Sequence, residues 1–152
     1  MNIVLFEPEI PVNTGNIGRT CVATGTKLHL IRPLGFFVDD KSLKRAGMDY
    51  WKSLDVQIYD NFDDFLVKNN NPKIFMVETK TEKFYTDVEY GMNDFIMFGK
   101  ETTGIPDEIL ELYKDTVVRI PMLPKTRSLN LSNSAAIVLF EALRQNGFIG
   151  LE

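Results

Sequence analysis

A chain of 152 residues with 44% hydrophobic and 25% charged side chains has the composition of an ordinary folded domain, which excludes a disordered tail or a collagen-like rod. At this length about 70% of the unfolded chain's surface is buried on folding, enough for one core without staples, and the lone cysteine, Cys21, excludes an internal disulfide and fits a reducing compartment. The net charge of −4 speaks mildly against a nucleic-acid partner. Residues 53–115, however, hold 6 basic and 14 acidic side chains while the rest of the chain holds 11 and 7, which leaves open either a basic surface or ordinary uneven charge.

In chain order, residues 2–6 form a short apolar, β-rich run and predict the first strand, followed by a helix over 14–24 that Gly25 stops. A strand over 27–31, a helix over 40–46, a strand over 56–59 and a helix over 61–69 follow. Strands over 73–78 and 94–98 come next, then a helix over 106–114 with Pro106 in its first turn, a strand over 116–120, and a helix over 132–146 that ends at Gly147. The alternation predicts an α/β protein. Near-continuous apolar strands such as Ile3-Val4-Leu5-Phe6 and Ile74-Phe75-Met76-Val77 predict a parallel sheet covered on both faces. No repeat, Gly/Ser linker or low-complexity tract interrupts it, so a single domain over 1–152 is expected.

Ligands of open α/β sheets gather beyond the carboxyl ends of the strands, and three such segments are richer in Gly, Asn, Ser or Pro than a plain connection requires. The first is Pro11-Val12-Asn13-Thr14-Gly15-Asn16-Ile17-Gly18-Arg19, with Asn13 placed to cap a helix and Gly15 and Gly18 allowing close backbone approach. At ~100° per residue Arg19 falls off the buried face of that helix, so it is either a solvated arginine or an anion contact. The second is Gly99-Lys100-Glu101-Thr102-Thr103-Gly104, where Glu101 is either a surface turn carboxylate or the holder of a hydroxyl or of another segment's end. In the third, Pro121 through Asn133, the run Ser128-Leu129-Asn130-Leu131-Ser132-Asn133 precedes the last helix, and either Ser132 or Asn130 caps it. Ala135, Val138, Leu139, Ala142 and Leu143 form the buried stripe of that helix, and the other polar residues lack a structural reason.

Several chemistries fall away. Gly15-x-x-Gly18 is not the dinucleotide fingerprint, and the run ending in Gly99-Lys100 has Asp94 where a phosphate-binding loop needs glycine and Glu101 where it needs Ser or Thr. One histidine, His29, inside a strand pattern and one cysteine cannot build a catalytic triad or an ordinary zinc site, and no calcium loop is present, so no metal is expected. Cys21 reads as a small core residue. Trp51, Tyr50 and Phe36-Phe37 flank Lys41, Lys44 and Arg45, a mixture that suits either core packing or stacking on bases. No run approaches the ~18–20 apolar residues of a membrane span, and Met1 to Glu7 lacks the basic flank of a signal peptide, so a cytoplasmic protein is expected.

Taken together and in this order, Pro11-x-Asn13-x-Gly15-Asn16-x-x-Arg19, then Phe98-Gly99-Lys100-Glu101-x-x-Gly104, then Ile120-Pro121-Met122 with Ser128-Leu129-Asn130-Leu131-Ser132-Asn133, resemble the three motifs of the SPOUT class of RNA 2′-O-methyltransferases. The short length and the opening Asn2-Ile3-Val4-Leu5-Phe6-Glu7-Pro8-Glu9-Ile10-Pro11 resemble the group acting on the tRNA wobble ribose. The similarity covers essentially the whole chain.

This resemblance implies an α/β SPOUT fold with a C-terminal trefoil knot, a rare feature among proteins. It also implies S-adenosylmethionine as cofactor, bound by Val77, Gly99, Ile120, Met122, Ser128 and Leu129, and a homodimer in which Arg19 of one subunit meets the cofactor held by the other. Arg19, Glu101, Ser128 and Asn130 are the implied catalytic group. A guanidinium keeps its proton to above about pH 12, so Arg19 suits holding the target phosphate and polarising the ribose, with the proton acceptor left open. Glu101 would orient, and Ser128 with Asn130 would shape the pocket. The implied substrate is the ribose of cytidine or modified uridine 34 in a tRNA anticodon stem-loop, with Arg19, Lys41, Lys44, Arg45, Lys125 and Arg127 as RNA contacts. The competing expectations are an inactive RNA-binding module of the same fold, methylation at another tRNA or rRNA position, and a nucleotide-dependent oxidoreductase disfavoured by the missing fingerprint.

Overall fold

The computed structural model describes residues 1–38 and 49–152. The helix expected over 40–46, and with it Lys41, Lys44 and Arg45, lies outside the described residues. Six strands form one sheet: β1 (Asn2–Phe6), β2 (Lys27–Ile31), β3 (Val56–Tyr59), β4 (Ile74–Val77), β5 (Phe95–Phe98) and β6 (Val117–Val118), in the order β3-β2-β1-β5-β4-β6. Each pairing is parallel; β1 lies between β2 and β5 with Ile3 opposite Leu28 on one side and Ile96 on the other. The chain builds outward from β1 through β2 to β3, then crosses to the other side, so the loops after β1 and β5 diverge where ligands of such sheets bind.

Side chains alternate through β1, and the two faces of the sheet carry separate cores. Ile3, Leu5, Leu28, Leu30, Ile96 and Phe98 pack against Ile17 and Cys21 of α1 (Pro11–Thr24) and against Ala135, Val138, Leu139, Ala142 and Leu143 of α4 (Leu131–Gln145). Val4, Phe6, Ile31, Met76 and Met97 pack on the opposite side against Phe65 of α2 (Phe62–Lys68) and Ile109 of α3 (Asp107–Leu112). Each buried aliphatic or aromatic side chain contributes about 1.5–3 kcal/mol, so this double layer holds the loops above it in place. Burial pushes the Cys21 thiol up to about 12, as suits a core residue. Among the described residues no helix is long and apolar enough to cross a membrane.

Two elements differ from expectation for identifiable reasons. α1 starts at Pro11, which stands at N1 where its missing N–H costs nothing; Ile10 is its N-cap residue, and Asn13 is inside the helix and buried. β6 stops at Val118 because Arg119 turns to a different neighbour: its N–H donates to the Lys83 carbonyl, and its own carbonyl accepts from Tyr85 N–H, both at 2.9 Å.

His29 is buried in β2 within an aromatic cluster of Tyr59, Phe65 and Phe95. Asn2 Nδ2 donates to the Asn93 carbonyl (3.2 Å), which leaves Asn2 Oδ1 to accept from His29 Nε2 at 3.2 Å. His29 Nδ1 then accepts from the Tyr59 hydroxyl at 2.7 Å, and that hydroxyl accepts from Asn69 Nδ2 at 3.1 Å. One neutral tautomer satisfies the whole chain, and a second proton finds no acceptor in it. Burial, aided by Lys27 and opposed by Asp55, lowers the His29 pKa to about 4. The unfolded chain therefore binds this proton first, so stability is complete above about pH 6.5 and falls as pH drops towards 4. Urea unfolding should show wild type losing about 2–3 kcal/mol more than His29→Gln between pH 7 and pH 4.5; parallel pH profiles for the two would contradict the assignment.

Candidate active site

A cavity of about 490 Å³ opens beyond the carboxyl ends of β4, β5 and β6. Its apolar walls come from Val77, Phe98, Ile120, Leu129 and Leu131, and its polar rim from Glu78, Lys100, Glu101, Ser128 and Asn130. Val77, Gly99, Ile120, Met122, Ser128 and Leu129, widely separated in sequence, all line it. Glu101 and Asn130 line it as well; Arg19 does not, and is exposed on α1 with its guanidinium 5.3 Å from the centre of the Tyr50 ring. Lys125 and Arg127 are exposed on the 121–130 segment that borders the cavity.

The loop from Gly99 to Gly104 is closed by two backbone bonds, Lys100 N–H to Gly104 O (3.2 Å) and Gly104 N–H to Lys100 O (2.9 Å). Glycine is required at both ends for different reasons. A Cβ on Gly99 would overlap the Gly104 backbone, whereas Gly104 has φ +71° and a Cβ there would overlap the Glu78 carboxylate. That carboxylate accepts from Ile105 N–H at 2.8 Å and Thr79 N–H at 3.1 Å, tying the β4 loop to the β5 loop.

Glu101 settles its two readings in favour of holding another segment. Its Oε2 accepts from Glu9 N–H (2.8 Å), and its Oε1 accepts from Ile10 N–H (3.1 Å) and from Asn13 Nδ2 (3.1 Å). A carboxylate thus satisfies free donors at the start of α1, where the helix dipole also favours negative charge. Glu9 returns the contact, its Oε2 accepting from the Thr102 hydroxyl (2.7 Å) and Thr102 N–H (3.1 Å). The neighbouring Lys100 ammonium pairs with Glu7, and that carboxylate's hydrogen bond raises the lysine's pKa.

Asn130 carries the network to the third segment. Its Nδ2 donates to Asn13 Oδ1 at 2.9 Å, while its Oδ1 accepts from Ser132 N–H (2.9 Å) and the Ser132 hydroxyl (2.6 Å), capping α4. Asn130, and not Ser132, is therefore the cap. The order Glu101–Asn13–Asn130 joins one residue from each of the three motifs through side-chain bonds.

Sequence reasoning did not pick out Glu9 or Glu78, and it misassigned Asn13. For Glu78 a signal existed: like Glu101, it is a carboxylate directly beyond an apolar strand. For Asn13 the spacing offered a helix start, and nothing local revealed that its side chain donates to a carboxylate 88 residues away. Among the described residues no three His, Cys, Asp or Glu side chains gather as a metal site.

Known proteins resemble this chain in sequence and in fold. A tRNA (cytidine(34)-2′-O)-methyltransferase of Saccharophagus degradans is 53% identical over 150 residues, 98% of this chain and 97% of the relative. A crystal structure of a candidate RNA methyltransferase from Bacillus anthracis superposes with a TM-score of 0.95 at 50% identity, covering 99% of this chain and 97% of that one. A structure solved to explain 2′-OH methylation of C/U34 on tRNA matches with a TM-score of 0.89 at 39% identity, covering 96% and 95%. An AdoMet-bound rRNA methyltransferase from Sinorhizobium meliloti matches at 26% identity with a TM-score of 0.78, over 94% of this chain and 55% of that one. With its parallel sheet, its three joined motifs and a match of residues 1–140 to the family model, the chain belongs to the SpoU rRNA Methylase family.

Proposed function

We propose that the protein transfers a methyl group from S-adenosylmethionine to the ribose 2′-hydroxyl of nucleotide 34 of tRNA, a cytidine or a modified uridine, acting as one domain in the cytoplasm. The observation that carries this reading is the convergence of Val77, Gly99, Ile120, Met122, Ser128 and Leu129 on one cavity. The names of the relatives at 53% and 39% identity supply the nucleotide position.

The donor set fits the cofactor. A volume near 490 Å³ is within the range of small-molecule pockets, and Val77, Ile120 and Leu129 would give an adenine apolar walls beside the Gly99–Gly104 loop. The chemistry supplied by S-adenosylmethionine when bound is a methyl already activated on a sulfonium. The chain's part is then alignment. Glu101 and Asn130 fix the start of α1 against the cavity rim, Ser128 and Asn130 shape the acceptor side, and Arg19 holds the target phosphate and polarises the ribose. A guanidinium keeps its proton at any physiological pH, so Arg19 does not take the hydroxyl proton.

Arg19 lies outside the cavity of its own chain, which supports a homodimer in which it reaches the partner's site. Exposed apolar side chains at Leu123 and Leu129, on the segment that borders the cavity, support burial against a second copy. Pooling two copies would also double the basic terminal segments for the anticodon arm, with Lys125 and Arg127, and Lys41, Lys44 and Arg45 beyond the described residues, as phosphate contacts. The C-terminal trefoil knot belongs to the same reading.

Incubation with labelled S-adenosylmethionine and tRNA from cells lacking this protein should place label on the ribose of nucleotide 34. Cofactor and tRNA binding without any ribose methylation would leave an RNA-binding module of this fold instead.

A further inference from the structure

We propose that Tyr50 is a positioning residue for Arg19. The inference rests on Arg19 being the group that meets the target nucleotide. Tyr50 stands in the 3₁₀ turn Asp49–Ser53 and touches α1 at two levels. Its hydroxyl donates to the Gly15 carbonyl, the acceptor that an α-helix aims at the amide of Arg19. Its ring lies 5.3 Å from the Arg19 guanidinium carbon, within cation–π range. One side chain thus grips both the backbone one turn before Arg19 and the charged group itself.

Gly18 makes this possible. A Cβ there would stand 3.1 Å from Leu54 Cδ2 and 3.4 Å from Tyr50 Cε2, so the glycine lets these side chains sit directly on the helix. Core packing accounts for the neighbours: Leu54 is buried, and Trp51 packs against the same core cluster. Tyr50 adds to this packing its contacts with the Arg19 guanidinium and the Gly15 carbonyl. Ordering a long arginine side chain for binding costs rotamer freedom. A ring beneath it meets part of that cost before RNA arrives, which favours the bound geometry.

The test combines a direct and a functional measurement on the full-length protein. In ¹⁵N-arginine spectra the Arg19 Nε–Hε resonance should show a ring-current displacement that is lost in Tyr50→Leu and kept in Tyr50→Phe. Methyl transfer by Tyr50→Leu should fall about tenfold in kcat, with cofactor affinity within roughly twofold of wild type because Tyr50 does not touch the cavity. Combined with Arg19→Ala, Tyr50→Leu should cause no further loss. An unchanged Arg19 resonance in Tyr50→Leu, losses that add in the double variant, or full activity of Arg19→Ala would each overturn the proposal. Should Tyr50→Leu fail to fold, a Tyr50→Phe resonance at the value of a solvated arginine would do the same. A wild-type protein without transferase activity would remove the proposed function alone, since the spectra still decide the positioning.

Discussion

Replacing Glu101 with alanine should lower methyl transfer at least about a hundredfold, because three donors at the start of α1 lose their acceptor and the helix is free to shift against the cavity. The expected stability loss is about 2 kcal/mol, the cost of leaving charge-assisted bonds unmade where water replaces them only in part. Glu101→Gln should fall between wild type and alanine: one carbonyl oxygen remains, but the amide nitrogen faces N–H groups it cannot accept from. Single-turnover methylation and urea midpoints measure the two effects separately. A variant that loses stability yet methylates within about threefold of wild type would reduce Glu101 to a helix cap.

Gly99→Ala should abolish cofactor binding, with affinity falling more than about a hundredfold while the sheet persists. The cause is steric. A methyl at 99 overlaps Gly104 and Ile105 backbone atoms, which have no flexible side chain to yield. Relief requires opening the 99–104 loop, and that loop also carries Glu101 and the Ile105 N–H held by Glu78. Circular dichroism should report native strand content, and calorimetric titration with S-adenosylmethionine should give no measurable heat. Titration heats like those of wild type would place the cofactor elsewhere.

The strands were legible almost residue for residue, because buried parallel strands announce themselves as apolar runs. β1, β2 and β3 match their expected spans, and β4 and β5 differ only at their ends. The shortening of β6 was not legible, since Arg119 gives up β4 for Lys83 and Tyr85 through backbone bonds that leave no composition signal. The cavity lining was legible through resemblance, and its polar frame was not. Asn13 looked like a cap and is a bridge, since the Glu101 carboxylate that its side chain donates to arrives from beyond β5. Tyr50 shows the same limit: an aromatic beside basic residues reads as a core ring or a base-stacking surface, and only the fold sets it under Arg19.

The bond between Asn13 and Asn130 spans 117 residues, and this bears on when the protein becomes competent. A nascent chain extended only through β6 already holds every strand of the sheet but not the α4 side chains that cover one of its cores. It still lacks the side chain that joins α1 to the start of α4, and with it the wall formed by Ser128 and Leu129. Until the closing helix docks, synthesis therefore leaves the cavity without one wall and one face of the sheet without its cover.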